Sequence, residues 1–155
     1  MFNFFSPTNI FLILSRIQKF INSIFFPILI VSLVFALILS PPDRIQGDAM
    51  RIMYVHVPSA WLGLACFSAI TVLSILAFIF KIKNFFYINK SLAPIGLLFT
   101  FLAIVTGSLW GEPTWGTWWV WDARLTSMMF LMFFYISYIL CFKFIKKEQL
   151  MLKVS

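Results

Sequence analysis

Charge is scarce in this chain. Asp, Glu, Lys and Arg together make up 11% of 155 residues, only five side chains are acidic, and there is a single histidine, His56. The two cysteines, Cys66 and Cys141, lie in separate apolar stretches with neither C-x-x-C nor C-x-x-C-H spacing. That excludes a disulfide framework and a covalent cofactor attachment, and both read as small apolar fillers. No Gly-rich phosphate-binding loop is present, so ATP-driven transport does not reside here. No internal repeat or low-complexity linker divides the sequence. The shortage of acid leaves a net charge of +7. The Lys and Arg residues nevertheless fall in short clusters beside apolar runs, the placement of topology-setting charge and not of a nucleic-acid footprint.

Hydrocarbon fills the space that charge leaves. The chain is 62% hydrophobic, against about 45–50% in soluble domains, and its mean hydropathy is +0.99. These values indicate an all-α integral membrane protein, a single membrane domain over residues 1–155 held together by close van der Waals fit and a few polar contacts. About 20 apolar residues cross a slab of about 30 Å. Four stretches meet or approach that length: 21–39, 58–80, 92–110 and 125–144. The first stops at Ser40-Pro41-Pro42, where a double proline cannot continue a helix, and Pro27 is expected only to kink it. The second opens on Pro58, suited to a first turn. The apolar twenty residues ahead of the first span, with Arg16 and Lys19 at the border, suggest an interfacial helix. No small-residue cleavage site follows, so the first span is expected to be an uncleaved anchor.

Loop charges predict orientation. Arg16 and Lys19, then Lys81, Lys83 and Lys90, then Lys143, Lys146, Lys147 and Lys153 occupy alternate connections. In the 40–57 loop, Arg44 and Arg51 are balanced by Asp43 and Asp48. In the 111–124 loop, Arg124 meets Glu112 and Asp122. The positive-inside bias therefore places both termini in the cytoplasm or matrix, and both balanced loops outside. His56, read as standing just ahead of the second helix, then shares the outer face with a tryptophan-rich loop.

That loop reads GEPTWGTWWVWDARLTS, Gly111 to Ser127. An aromatic belt would decorate both interfaces, whereas Trp61, Trp110, Trp115, Trp118, Trp119 and Trp121 all fall at the outer end. Trp115, Trp118 and Trp119 would share a helical face, and Trp115, Trp119 and Trp121 one side of a strand; Gly111, Pro113 and Gly116 favour an irregular entry. Either conformation yields an aromatic shelf for a large π-face. His56 offers an imidazole to iron, and Arg51 and Arg124 offer planar forks to carboxylates. A flat apolar ligand with a central metal and peripheral carboxylates is haem. Each residue also has a plainer reading: His56 as an interfacial hydrogen-bonding residue, Asp122 as the N-cap of the fourth helix, and Arg51 and Arg124 as partners of nearby acids or lipid phosphates.

The stretches WGTWWVWDARLTS and GSLWGEPT resemble the WWD signature of the haem-handling proteins of cytochrome c biogenesis, in its CcmC-type form. RIMYVHVPSAW is similar to that family's second-helix entrance, and APIGLLFTFLAIVTGS to its third span. The resemblance implies a haem chaperone in the bacterial inner membrane, or alternatively the mitochondrial one. Such a protein transiently binds haem b on the outer face, presents it to the chaperone CcmE, and associates with the ABC-type CcmA/CcmB complex and the small subunit CcmD. It implies a binding and delivery protein, not an enzyme. By motif position His56 would be an axial iron ligand, Trp115, Trp118, Trp119 and Trp121 the platform, with Asp122 and Arg124 in the same loop and Arg51 at the family's arginine position. CcmC-type proteins have six spans and a second external histidine. This sequence shows four spans and one histidine, corresponding to the N-terminal two-thirds of that architecture. A partner chain, water, Met50, Met53 or Tyr54 would have to complete the iron's ligation. Two other functions follow from the residues: a permanent b-type electron carrier, which usually needs two facing histidines, and an inactive or structural remnant subunit of the exporter complex, with the tryptophans as anchors.

Overall fold

In a computed structural model the backbone is described for residues 7–144. The first six residues and the lysine-rich tail, on which part of the orientation argument rests, lie outside the described residues. Four α-helices follow one another: α1 (Pro7–Val34), α2 (Met50–Phe80), α3 (Lys83–Trp115) and α4 (Ala123–Phe144). Each is long and apolar enough to cross a membrane, and no strand occurs among the described residues. The chain divides into two compact units, Met1–Pro41 and Pro42–Ser155.

The first unit holds α1, which is extended by a π-helical turn, Phe35–Leu39. Ser40 closes that turn by donating its N–H to Phe35 O at 2.9 Å and its hydroxyl to Ala36 O at 2.7 Å. Pro41-Pro42 then forbids continuation, as the sequence predicts. The separate interfacial helix expected before the first span does not form: α1 runs unbroken from Pro7 through Arg16, Lys19 and Pro27. Nothing before Pro27 interrupts the hydrogen-bond ladder, and Ser15 and Ser23 fold their hydroxyls back onto Leu12 O and Phe20 O, both at 2.9 Å.

In the second unit α3 packs against both α2 and α4. Its inner face is a stripe of small residues, Ala93, Gly96, Thr100, Ala103 and Gly107, spaced at three and four so that they lie on one side. Close approach of backbones is how helices associate without water to expel. A Cβ on Gly63 of α2 would stand 2.7 Å from Thr100 Oγ1, and one on Gly96 would overlap the Tyr135 hydroxyl of α4. Tyr135 is 0% exposed; it donates to Gly63 O at 2.7 Å and so ties α4 to α2 through the gap beside α3. Ile70, Ala93, Leu131 and Tyr135 form the buried cluster around this crossing.

Three expected boundaries shift. The second helix begins at Met50, eight residues before Pro58, so His56 stands within α2 and not ahead of it. Pro58 removes one ladder donor without ending the helix, and the Ser59 hydroxyl folds back onto Val55 O at 2.7 Å. The expected 81–90 loop is only Lys81 and Ile82, Lys81 being left-handed at φ 54°. At its other end α3 includes Gly111, Pro113 and Trp115, where an irregular entry was expected. It stops at Gly116, whose φ of 74° and N–H bond to Glu112 O at 2.9 Å make a left-handed glycine cap. With 33 residues, α3 is about 50 Å long at 1.5 Å per residue, so its ends reach beyond a slab of about 30 Å.

Candidate functional site

Antiparallel packing of α2 on α3 sets the site. Seven residues separate His56 from Gly63, and seven separate Thr100 from Gly107; the close contact Gly63–Thr100 is therefore repeated two turns on as His56–Gly107. A Cβ on Gly107 would be 2.9 Å from His56 Cε1, so the missing side chain is what lets the imidazole lie on α3. There Nδ1 is 2.9 Å from Ala103 O and 3.2 Å from Thr106 Oγ1. A carbonyl can only accept, so Nδ1 carries the proton and donates it to Ala103 O. The Thr106 hydroxyl is itself committed to Leu102 O at 2.6 Å. Nε2 is left with its lone pair and has no hydrogen-bond partner among the described residues. This is the second-sphere arrangement that fixes a ligating histidine's tautomer and ring orientation.

His56 lines an open-sided, mostly apolar groove of about 310 Å³, with Met53 beside it on α2, Ala103, Gly107, Trp110 and Trp115 along α3, and Arg124, Leu125 and Met128 on α4. The volume is at the low end of small-molecule sites, about 300–1,000 Å³. A macrocycle would enter it by an edge and remain partly outside. Arg124 Cζ lies 5.4 Å from the centroid of the Trp115 ring, and these two residues also border a second recess of about 210 Å³, shared with Val120 and Asp122.

The remaining sequence-predicted residues distribute unevenly. Of the four platform tryptophans only Trp115 lines the groove. Trp118 and Trp121 are 57% and 74% exposed. The indoles do not form one flat shelf but two edge-to-face pairs, Trp110–Trp115 at 5.0 Å and Trp119–Trp121 at 5.6 Å. Trp119 has a buried Nε1–H with no acceptor among the described residues. Asp122 caps α4: its Oδ1 accepts the Leu125 N–H at 2.8 Å, and its Oδ2 takes Arg124 Nε at 3.0 Å and Nη2 at 2.7 Å. The Leu125 N–H first, and then the Arg124 side chain, hold the Asp122 carboxyl below the usual carboxylate range. Arg124 keeps three of its five N–H groups free of Asp122. Arg51 pairs with Asp48 at 3.2 Å and is not among the groove residues. The plainer readings of Asp122 and Arg51 are thus realised as local contacts.

Sequence reasoning left Trp110, Ala103, Gly107 and Met128 out of the site. The signal available was register: Ala103, Gly107 and Trp110 continue the small-residue stripe of α3 toward the tryptophans.

Residues 1–154 of the chain match the family model for CcmC, Heme exporter protein C. The chain belongs to the CcmC family. It is 45% identical over 107 residues to Heme exporter protein C of Haemophilus influenzae, covering 69% of this chain and 44% of that protein. It is 42% identical over 112 residues to Heme exporter protein C of Escherichia coli K12, covering 72% and 46%. A ccmC-like mitochondrial protein of cytochrome c biosynthesis from Marchantia polymorpha is 48% identical over 98 residues, covering 63% and 43%. The chain therefore spans under half the length of these CcmC relatives.

Proposed function

We propose that this chain acts in cytochrome c maturation by holding haem b transiently at the outer face of the bacterial inner membrane and presenting it to CcmE, alongside CcmA/CcmB and CcmD. The mitochondrial inner membrane is the alternative location, favoured by the Marchantia relative. Both termini then face the cytoplasm or matrix. The chain binds and hands on its cargo and catalyses no reaction of its own.

One observation carries the reading. The neutral imidazole of His56 is anchored through Nδ1–H to Ala103 O at 2.9 Å, which leaves the Nε2 lone pair uncommitted on a residue that lines an apolar groove. Haem iron would supply a Lewis-acid centre for such a donor. Around it the protein excludes water with Val57, Ile104 and Leu125, offers the Trp115 indole to a π-face, and presents the spare Arg124 N–H groups to a carboxylate. Of the residues considered for the second axial position, Met53 lines the groove, and Met128 joins it from α4; Met50 and Tyr54 do not line it. A groove that covers only part of its ligand suits cargo that must leave. Trp118, Trp119, Trp121 and Arg51 then serve the exposed part of the ligand or the receiving partner.

The test is transfer. The purified chain loaded with haem should show a Soret band that moves to the soluble domain of CcmE after mixing, and the His56→Ala chain should neither load nor deliver. A Soret band that stays with the chain indefinitely would instead favour a permanent electron carrier. A structural role in the exporter complex is favoured by the local engagement of Asp122 and Arg51, and predicts no Soret band at all.

A further inference from the structure

The short segment before α2 is built as a latch on the groove. Asp43 Oδ1 accepts the N–H groups of Ile45 at 2.8 Å and Gln46 at 2.9 Å. Asp43 and Gly47 exchange two backbone hydrogen bonds, each 3.1 Å. Gly47 closes this five-residue turn in the left-handed region at φ 58°, a conformation glycine adopts without steric cost. The turn fixes the backbone of Gln46, and the Gln46 Oε1 accepts the Trp110 Nε1–H at 3.1 Å across 64 positions of sequence. Trp110 in turn meets Trp115 edge to face at 5.0 Å. Arg124 lies over Trp115 and forks onto Asp122, the cap of α4. A continuous line of contacts thus runs from the 43–47 turn, over the end of α3, to the start of α4. Trp110, Trp115 and Arg124 along that line are the lip of the groove.

We propose that Gln46 is a positioning residue that holds the Trp110 indole as the groove's lip and thereby sets how slowly haem leaves, a role that rests on the haem reading of the groove. The physical reason is that an indole on the last two turns of α3 swings about two side-chain torsions. Its ring edge decides whether the apolar wall beside His56 is closed or open. One neutral hydrogen bond anchored to a rigid turn selects the closed position. Gln46 makes no contact with the groove interior and leaves the iron ligand untouched.

The experiment uses the full chain in detergent micelles, with indole nitrogens labelled and haem release measured by capture in excess apomyoglobin. Gln46→Leu should shift the Trp110 indole resonance, assigned by its disappearance in Trp110→Phe. It should also speed haem release about two- to tenfold, the span a single neutral hydrogen bond commands, while the position of the Soret band stays as in the unmodified chain. Gln46→Glu keeps the acceptor and should restore both readouts. In a Trp110→Phe background Gln46→Leu should add nothing, the coupling expected of a direct pair. Equal release rates in the unmodified and Gln46→Leu chains, or faster release that persists in the Trp110→Phe background, would overturn the proposal. Absence of a Soret band from the unmodified chain would overturn the haem reading and this role together, and is distinguished by the Trp110 resonance still responding to Gln46→Leu.

Discussion

Replacing Gly107 by alanine tests the construction of the site without replacing the proposed iron-binding residue. The added Cβ would stand 2.9 Å from His56 Cε1 and 3.3 Å from Nδ1. The α3 backbone is pinned there by its packing, so the imidazole must swing and the 2.9 Å bond to Ala103 O must lengthen or break. Losing that bond costs about 0.5–1.5 kcal/mol, and forcing a methyl into a filled site about 1–3 kcal/mol. Alanine returns about 1 kcal/mol over glycine in a helix interior. The three contributions leave the fold weakened by roughly 0.5–3.5 kcal/mol. Haem affinity should suffer more specifically: loss of a partner that orients a metal-ligating histidine typically costs about 10–100-fold. The assay is a haem titration followed at the Soret band, with thermal unfolding of the haem-free chain measured in parallel. Tyr135→Phe is the control, since it loosens the bundle two turns away from His56. Affinity within twofold of the unmodified chain, or a loss that Tyr135→Phe reproduces, would refute the reasoning.

Tyr135→Phe itself should lower stability by about 1 kcal/mol, the value of one interhelical hydrogen bond in lipid, read as an earlier unfolding transition with haem affinity unchanged. Trp115→Ala should weaken haem binding about 2–10-fold, as expected for loss of one aromatic contact, whereas Trp121→Ala, at a ring 74% exposed, should change it little; a titration of both variants ranks them. Asp122 contributes to the start of α4 as a carboxylate whose titration is shifted downward. Its contribution is therefore complete above about pH 4, the ordinary carboxylate range, and fades as pH falls through the lowered folded value. Protection of the Leu125 amide, its hydrogen-exchange rate relative to the intrinsic rate at the same pH, should fall on that descent in the unmodified chain. Asp122→Asn, which keeps an acceptor for the cap but not the charge for Arg124, should remove the pH dependence.

The four spans were legible because their signal is composition over about twenty residues, and the double proline after Ser40 marks a true end, whereas Gly116, read as part of an irregular entry, is the cap that ends α3. The starts were harder. Pro58 reads as a first-turn residue, yet α2 begins a full eight residues earlier and carries the proline inside it. Pro113 likewise sits inside α3 instead of ending it. Sequence placed His56 near the tryptophans through loop charge, and the structure brings it to Trp110, Trp115 and Arg124 by a different route, the two-turn repeat from Gly63–Thr100 to His56–Gly107. Which indoles would face His56 could not be read from their spacing, because α3 ends at the left-handed Gly116, between Trp115 and Trp118. The tautomer of His56 was equally hidden: it depends on the Ala103 carbonyl, which no side-chain motif records. Asp122 and Arg124, two apart in sequence, were legible as a local pair from the start.

The central claim is that the Nε2 of His56 is the protein's donor to iron in this groove. The most direct measurement is the absorption spectrum of the His56→Gly chain loaded with haem, before and after imidazole is added to occupy the vacated space. The account predicts that the Soret band of the unmodified chain is lost in this variant and regained with imidazole; a His56→Gly chain that shows the unmodified band without imidazole would contradict it.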